Sequence, residues 1–209
     1  MTPREAWELV GGLSSPSKMP CHGYSIPAAH CITGSKLAKV PGSVCAGCYA
    51  LKGRYLFGNV KSALQRRFES LKNPLWVDAM VCAIKANESS GFFRWHDSGD
   101  LQGVWHLRNI CSVCAALPQI RFWLPTREVS ILREYVESGF AIPSNLTVRI
   151  SAYMVDEPAA ESFAKRHGFV VSEVTTGTAS CPSPSQGNKC LSCRNCWQKD
   201  VFSVSYAKH

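Results

Sequence analysis

The chain has 209 residues, enough for one sizeable domain with an apolar core and short for two. Hydrophobic residues make up 45% of it and charged residues 18%, below the roughly 25% of an average soluble protein, which excludes disorder as the overall state. The net charge of +8 allows an anionic partner without identifying one, and eleven cysteines fall short of the density that marks a disulfide-built secreted scaffold.

In chain order, the first residues, Met1 to Gly12, offer no apolar run of signal-peptide length, and no stretch approaches the ~18 apolar residues of a membrane span. The expectation is a cytoplasmic protein with no membrane partner, in which thiols stay reduced and clustered cysteines bind metal or do redox chemistry. Residues 1–58 are rich in Gly, Pro, Ser and Cys and read as loops ordered around something other than a core. Residues 59–176 alternate helical patterns with short apolar runs. Helices are expected near 60–71, 74–88, 101–116, 128–138 and 157–167, and strands near 92–96, 120–124, 146–151 and 169–174. Asp100 is placed to cap the helix beginning at Leu101, Glu157-Pro158 to open another, and Gly139 and Gly168 to stop two. Residues 177–209 form a Cys, Ser, Gly and Pro-rich tail ending in the apolar run Val201, Phe202, Val204, Tyr206. The alternation is that of βα units on a mainly parallel sheet. The fold class expected is α/β, a partial (βα) barrel in a single domain whose cysteine-rich ends bind metal.

The cysteines divide into three sets. Cys21, Cys31, Cys45 and Cys48 stand near the N-terminus, the last pair spaced Cys45-x2-Cys48. Cys181-Pro182 is followed by Cys190-x2-Cys193-x2-Cys196. Three thiols spaced by two residues can wrap the corners of a cubane, as in ferredoxins, although here the Cys-Pro precedes the run. Zinc competes, because paired knuckles make tetrahedral sites and Cys45/Cys48 could join two tail thiols. A third thiol at the same spacing is not needed by zinc, so the reading favours one or two [4Fe-4S] clusters. Their ligands would be Cys31, Cys45, Cys48, Cys181, Cys190, Cys193 and Cys196, with Cys21 as a further candidate. Cys82, Cys111 and Cys114 lie in apolar helical patterns, where a free cysteine packs as a small hydrophobe.

Between Lys36 and Lys72 there are eight basic residues and one acid, Glu69, a candidate surface for nucleic acid. Sites in parallel βα folds gather at the carboxyl ends of strands. Those ends supply His96, Asp97, Arg127 and Glu173 as candidates for proton transfer or anion binding, with Arg94, Arg149 and Ser151 toward a cofactor. Arg94 and Arg149 sit inside apolar strands and need partners, for which Asp97, Asp100 and Glu173 are the sequence's carboxylates.

Three strings, Cys45-x2-Cys48-Tyr49-Ala50-x-Lys52-Gly53-x-Tyr55, Arg94-Trp95-His96-Asp97-Ser98-Gly99-Asp100 and Cys190-x2-Cys193-Arg194-x-Cys196-Trp197, resemble the phage-associated gene product 88 family. The resemblance covers most of the chain and implies a phage-encoded protein working in the host cytoplasm, with no assigned reaction. The chain is also similar to phage-encoded relatives of radical S-adenosylmethionine (SAM) proteins, which place Cys-x2-Cys-Tyr-Ala before a partial barrel. In those, one strand ends in a Thr-Arg pair, comparable to Thr126-Arg127, and another in Ser, comparable to Ile150-Ser151. Their cluster loop is Cys-x3-Cys-x2-Cys, whereas here thirteen residues separate Cys31 from Cys45, which argues against SAM as cofactor. The leading expectation is therefore an iron–sulfur protein with a redox or cluster-proximal catalytic role, served by a redox partner protein. A zinc-stabilised nucleic-acid-binding module and a radical SAM-like enzyme are the alternatives.

Overall fold

The computed structural model describes residues 1–208. Its elements are α1 (Pro3–Leu9), β1 (Gly23–Tyr24), α2 (Ile32–Leu37), α3 (Gly58–Ser70), α4 (Trp76–Asn87), β2 (Phe92–Trp95), α5 (Val104–Ala116) and β3 (Arg121–Thr126). They continue with α6 (Val129–Glu137), β4 (Leu146–Ser151), α7 (Glu161–His167), β5 (Val170–Thr175) and β6 (Ser203–Ala207). The six strands form one all-parallel sheet in the order β1-β2-β3-β4-β5-β6, every neighbour being the next strand in sequence. The α/β class and the parallel sheet expected from the alternation are both present.

Strand alternation gives the sheet two unlike faces. Phe93, Trp95, Phe122, Leu124, Leu146, Val148, Ile150 and Val171 point to one side. There they join Met80 and Ile84 of α4, Leu107 and Ile110 of α5 and Leu132 of α6 in a single buried core. The intervening residues Arg94, Trp123, Thr147, Arg149, Ser151 and Ser172 point to the other side. Among the described residues no α-helix covers that second face. The tail does, with Trp197 packed edge-on against Phe92 and Trp123 at centroid distances of 5.5 and 5.2 Å, and its indole N–H donating to the Phe93 carbonyl. A parallel sheet needs both faces covered, and here two different materials cover them.

Several local expectations are corrected. Residues 1–58 are not only loops: α1 and β1 bring Ala6, Val10, Leu13, Tyr24 and Ile26 into the main core. α1 is closed by a capping box, in which Thr2 accepts from the Glu5 backbone and Glu5 from that of Thr2, with Pro3 in the first turn. Asp100 caps no helix, because α5 begins after Gly103 and the Asp100 carboxylate is drawn instead to β3. Glu157-Pro158 lies ahead of α7, which starts at Glu161 after Ala160. Gly168 does end α7 in the left-handed conformation, and Gly139 follows α6 at φ 80°. Cys111 and Cys114 are buried in the core and Cys82 packs partly against it, as their apolar settings implied. Gly99, at φ 80°, permits a close approach of two strand-end loops: a Cβ there would lie 2.2 Å from Ile26 Cγ1 and 2.8 Å from its carbonyl oxygen. Among the described residues no helix is long and apolar enough to cross a membrane.

Candidate functional site

The loop between β1 and α3 carries Cys31, Cys45 and Cys48 to the carboxyl ends of the strands. Cys31 stands just before α2, and Cys45 is in a 3-10 turn whose cap, the Ser43 hydroxyl, accepts from the Ala46 N–H at 3.0 Å. What lets Cys31 and Cys45 converge is Gly34: the Sγ atoms of both lie 3.6 Å from the point where a Cβ on that residue would stand. Burial pushes both thiols up, with Asp100, Glu128 and the neighbouring thiols adding to the shift and Arg127 opposing it at Cys45.

Two buried carboxylates frame this loop, and the sequence did not mark either as a site residue. Glu128 accepts the Thr33 N–H and hydroxyl, both at 2.7 Å, and so fixes the first turn of α2 beside Cys31. Asp100 accepts from the Thr126 hydroxyl at 2.6 Å and from the Arg127 and Leu101 N–H groups at 2.8 Å each. Burial nonetheless raises its carboxyl to about 6, against the pull of those hydrogen bonds. A carboxyl of that kind can exchange a proton near neutral pH. Their role depends on partners far away in sequence (Thr33 is 95 residues from Glu128), which no local pattern announces.

Of the strand-end residues singled out from sequence, three gather here. Asp97 accepts the Tyr55 hydroxyl at 2.8 Å on Oδ2, and its backbone carbonyl accepts the Tyr49 hydroxyl. Arg127 donates from Nε to the Ala152 carbonyl at 3.0 Å, and its own carbonyl accepts the Tyr153 hydroxyl. His96 is buried at φ 53°, and neither ring nitrogen has a hydrogen-bond partner among the described residues. Burial, with His106 and Arg94 nearby, holds its pKa well below the usual histidine range, so the ring is neutral. Glu173 is not with them, because it alternates with Ser172 and shares the Val171 side of β5, away from the second face.

On that second face lie the buried arginines. Arg149 finds no carboxylate: its guanidinium donates to the carbonyls of Val171, Phe202, Asn195, Gln198 and Val201 at 2.6–3.3 Å. Five carbonyl dipoles replace the acidic partner expected from sequence, and four of them belong to the tail. Arg94 lies with its guanidinium carbon 4.5 Å from the Trp123 ring centroid, in the field of Tyr49 and Asp97 at one end and of Tyr206 and Cys196 at the other. Ser151 meets the Ser172 hydroxyl at 3.1 Å.

The tail thiols form a second gathering on this face. Cys190 acts electrostatically on Cys21, Cys181 and Cys193 act on Cys190, and Cys181 acts on Cys196. Backbone bonds hold them: Cys190 N–H donates to the Lys18 carbonyl at 3.0 Å, Cys181 N–H to Ser205 at 3.0 Å, and Cys193 N–H to Cys190 at 2.9 Å. Cys196 Sγ lies 3.2 Å from the Tyr206 hydroxyl. Burial raises the Cys21 thiol to about 12, which brings this residue, uncertain from sequence, into the same buried surroundings. All eleven cysteines are unpaired, and among the described residues no group of three or more His, Cys, Asp or Glu side chains is arranged to hold a metal ion.

The family model described as gene product 88 matches residues 4–199. The chain belongs to the gene product 88 family. The match takes in every cysteine, both thiol gatherings and the Asp100–Arg127–Glu128 strand ends, and it stops short of β6. Neither curated proteins nor solved structures yield a match.

Proposed function

We propose that this gene product 88 protein is an iron–sulfur protein, with [4Fe-4S] clusters held by two thiol sets on a partial βα barrel. One observation carries the reading: Cys31, Cys45 and Cys48 converge at the carboxyl ends of β2 and β3, while Cys181, Cys190, Cys193, Cys196 and Cys21 gather under the tail. The donor chemistry fits iron–sulfur ligation, since both sets are thiols, Cys21 and Cys45 buried and the other six half-buried, and a cubane's corners hold sulfurs farther apart than a single ion would. The tail set has enough thiols to close a cluster without help and suits electron transfer with a redox partner protein. The strand-end set has three. Asp100, with its carboxyl near 6, and Arg127 are the groups beside it fitted to move a proton or hold an anion.

The test is composition. Anaerobically purified protein is expected to be brown, with iron and acid-labile sulfide and a paramagnetic signal after reduction. The pair C45S/C48S should remove one share of the iron and C190S/C193S the other. A colourless protein holding only zinc would falsify the reading and leave the zinc-stabilised alternative.

A second reading is favoured by one position: the three-thiol set follows β1 and lies apart from the tail, so a cluster there would keep one iron without a thiol. Such an iron supplies an open coordination site, on which a radical SAM-like activity depends. Reductive release of 5′-deoxyadenosine from SAM by the reconstituted protein is the outcome required, and inert protein with both clusters loaded rejects it.

A further inference from the structure

Of the eight bases between Lys36 and Lys72, only Arg67 is buried, its guanidinium spent on the Gly12 and Leu13 carbonyls. The others are exposed, and none forms an ion pair among the described residues. With Glu69 the single acid in the stretch, it carries nearly the whole of the net +8. Charge elsewhere on the molecule is close to balanced, so the positive excess is concentrated in this one stretch of chain rather than spread over the molecule.

Its central part has a second property. Two short 3-10 turns, Tyr49–Leu51 and Gly53–Leu56, lead into α3, and they expose Leu51, Leu56 and Phe57 at 45%, 53% and 59%. Lys52, Arg54 and Lys61 alternate with these apolar side chains. The turns do not hang loose: the hydroxyls of Tyr49 and Tyr55 fasten them to Asp97 at the end of β2. A surface amphipathic helix for a membrane segregates its charges from its apolar residues. Here they are interleaved on irregular backbone, which suits a chain that offers phosphates and flat bases in turn. From Leu51 to Phe57 the rim offers no helix or two-stranded ribbon to a duplex groove, and α3 enters it only with its first turn, at Lys61.

We propose that the Leu51–Lys61 rim is a platform for single-stranded nucleic acid and leads it past Cys48 to the strand-end thiols. The binding itself stands on charge and exposure; the meaning of its destination rests on the iron–sulfur reading. The contacts are Lys52, Arg54 and Lys61 on phosphates and Phe57 under a base.

Fluorescence anisotropy with a labelled 20-mer of thymidylate, on the full chain purified anaerobically, tests it. Binding is expected at about 50 mM salt, with a log–log salt slope of about −2, the value for three phosphate contacts on a single strand. K52E/R54E/K61E should weaken binding at least ~10-fold and F57A ~5-fold or more, with unchanged circular dichroism. Photocrosslinks from a bromodeoxyuridine 20-mer should map to residues 45–61. No binding at low salt, equal affinity for a duplex of the same length, binding to anionic phosphatidylserine vesicles only, or crosslinks confined to other surfaces each overturns the proposal. C45S/C48S, which removes two of the three strand-end thiols, should bind the 20-mer as the parent does. Parent protein that binds the 20-mer but holds no iron would overturn the cluster reading alone, and iron-loaded protein that does not bind it would overturn the platform alone.

Discussion

The two faces of the sheet are built from the same strands and held in opposite ways. On the helix side, Phe93, Phe122, Leu124 and Ile150 meet other apolar side chains, and burial alone supplies the attraction. On the tail side, the register places Arg94, Trp123, Thr147 and Arg149, and the covering segment has almost no regular structure. What holds it is a set of directed contacts: Arg149 to five carbonyls, the Thr147 hydroxyl to the Trp197 carbonyl at 2.9 Å, and the Trp197 indole to Phe93. The lesson is that one period-2 pattern can specify a core and a docking plate at once, and that only the core is self-sufficient.

The sharpest way to break that contrast is to damage each face in turn. Phe122→Ala should cost about 3–5 kcal/mol in urea unfolding and remove both faces in one transition, because the cavity opens in the shared core. Arg149→Ala should cost about 2–4 kcal/mol, since several buried carbonyls lose their donor at about 1 kcal/mol or more each. Its loss should be uneven: limited proteolysis should cut within residues 177–200 while far-ultraviolet dichroism persists. If both variants unfold in one indistinguishable step, the faces are not separable.

A pH slope sharpens the helix side. His106 is fully buried, accepts the Gln102 N–H on Nδ1 at 3.3 Å, and burial lowers its pKa from 6.5 to about 3. The unfolded chain binds a proton below about 6.5 that the folded chain refuses until about 3, so stability falls as pH drops through that window. His106→Gln should flatten the decline by about 1.4 kcal/mol per pH unit relative to the parent. Asp100, raised to about 6, has the opposite slope and is common to both proteins, so it cancels in the comparison. The smallest effect belongs to the surface: Glu161→Gln, which breaks an exposed pair with Lys165 on α7, should change stability by no more than about 0.5 kcal/mol.

The core from α3 to β5 was legible because its apolar residues recur at helix or strand spacing, and the expected ranges fall within a few residues of those found. β1 is two residues long, too short to show a period, and β6 sits in a tail whose composition masks its apolar run. The start of α1 was readable, since Thr2-Pro3-Arg4-Glu5 spells a capping box, but no apolar stripe followed to draw attention to it. The thiols stood out by spacing. Asp100, Glu128 and the true partners of Arg149 did not, because their contacts cross 22 to 95 residues and, for Arg149, end on backbone atoms that look alike in every sequence.

The strand order has a consequence for how the molecule comes into being on the ribosome. Because each strand pairs with the one made just before it, the sheet can lengthen in step with synthesis, with no gap waiting for a later insertion. Only the far edge must wait: β5 emerges with an open side, and Arg149 with no carbonyls from the tail, until residues 177–207 arrive and close both together. The last stretch of translation is thus when the nascent chain most needs protection, and arrested chains ending near residue 176 should be the ones that a chaperone or a neighbouring strand captures.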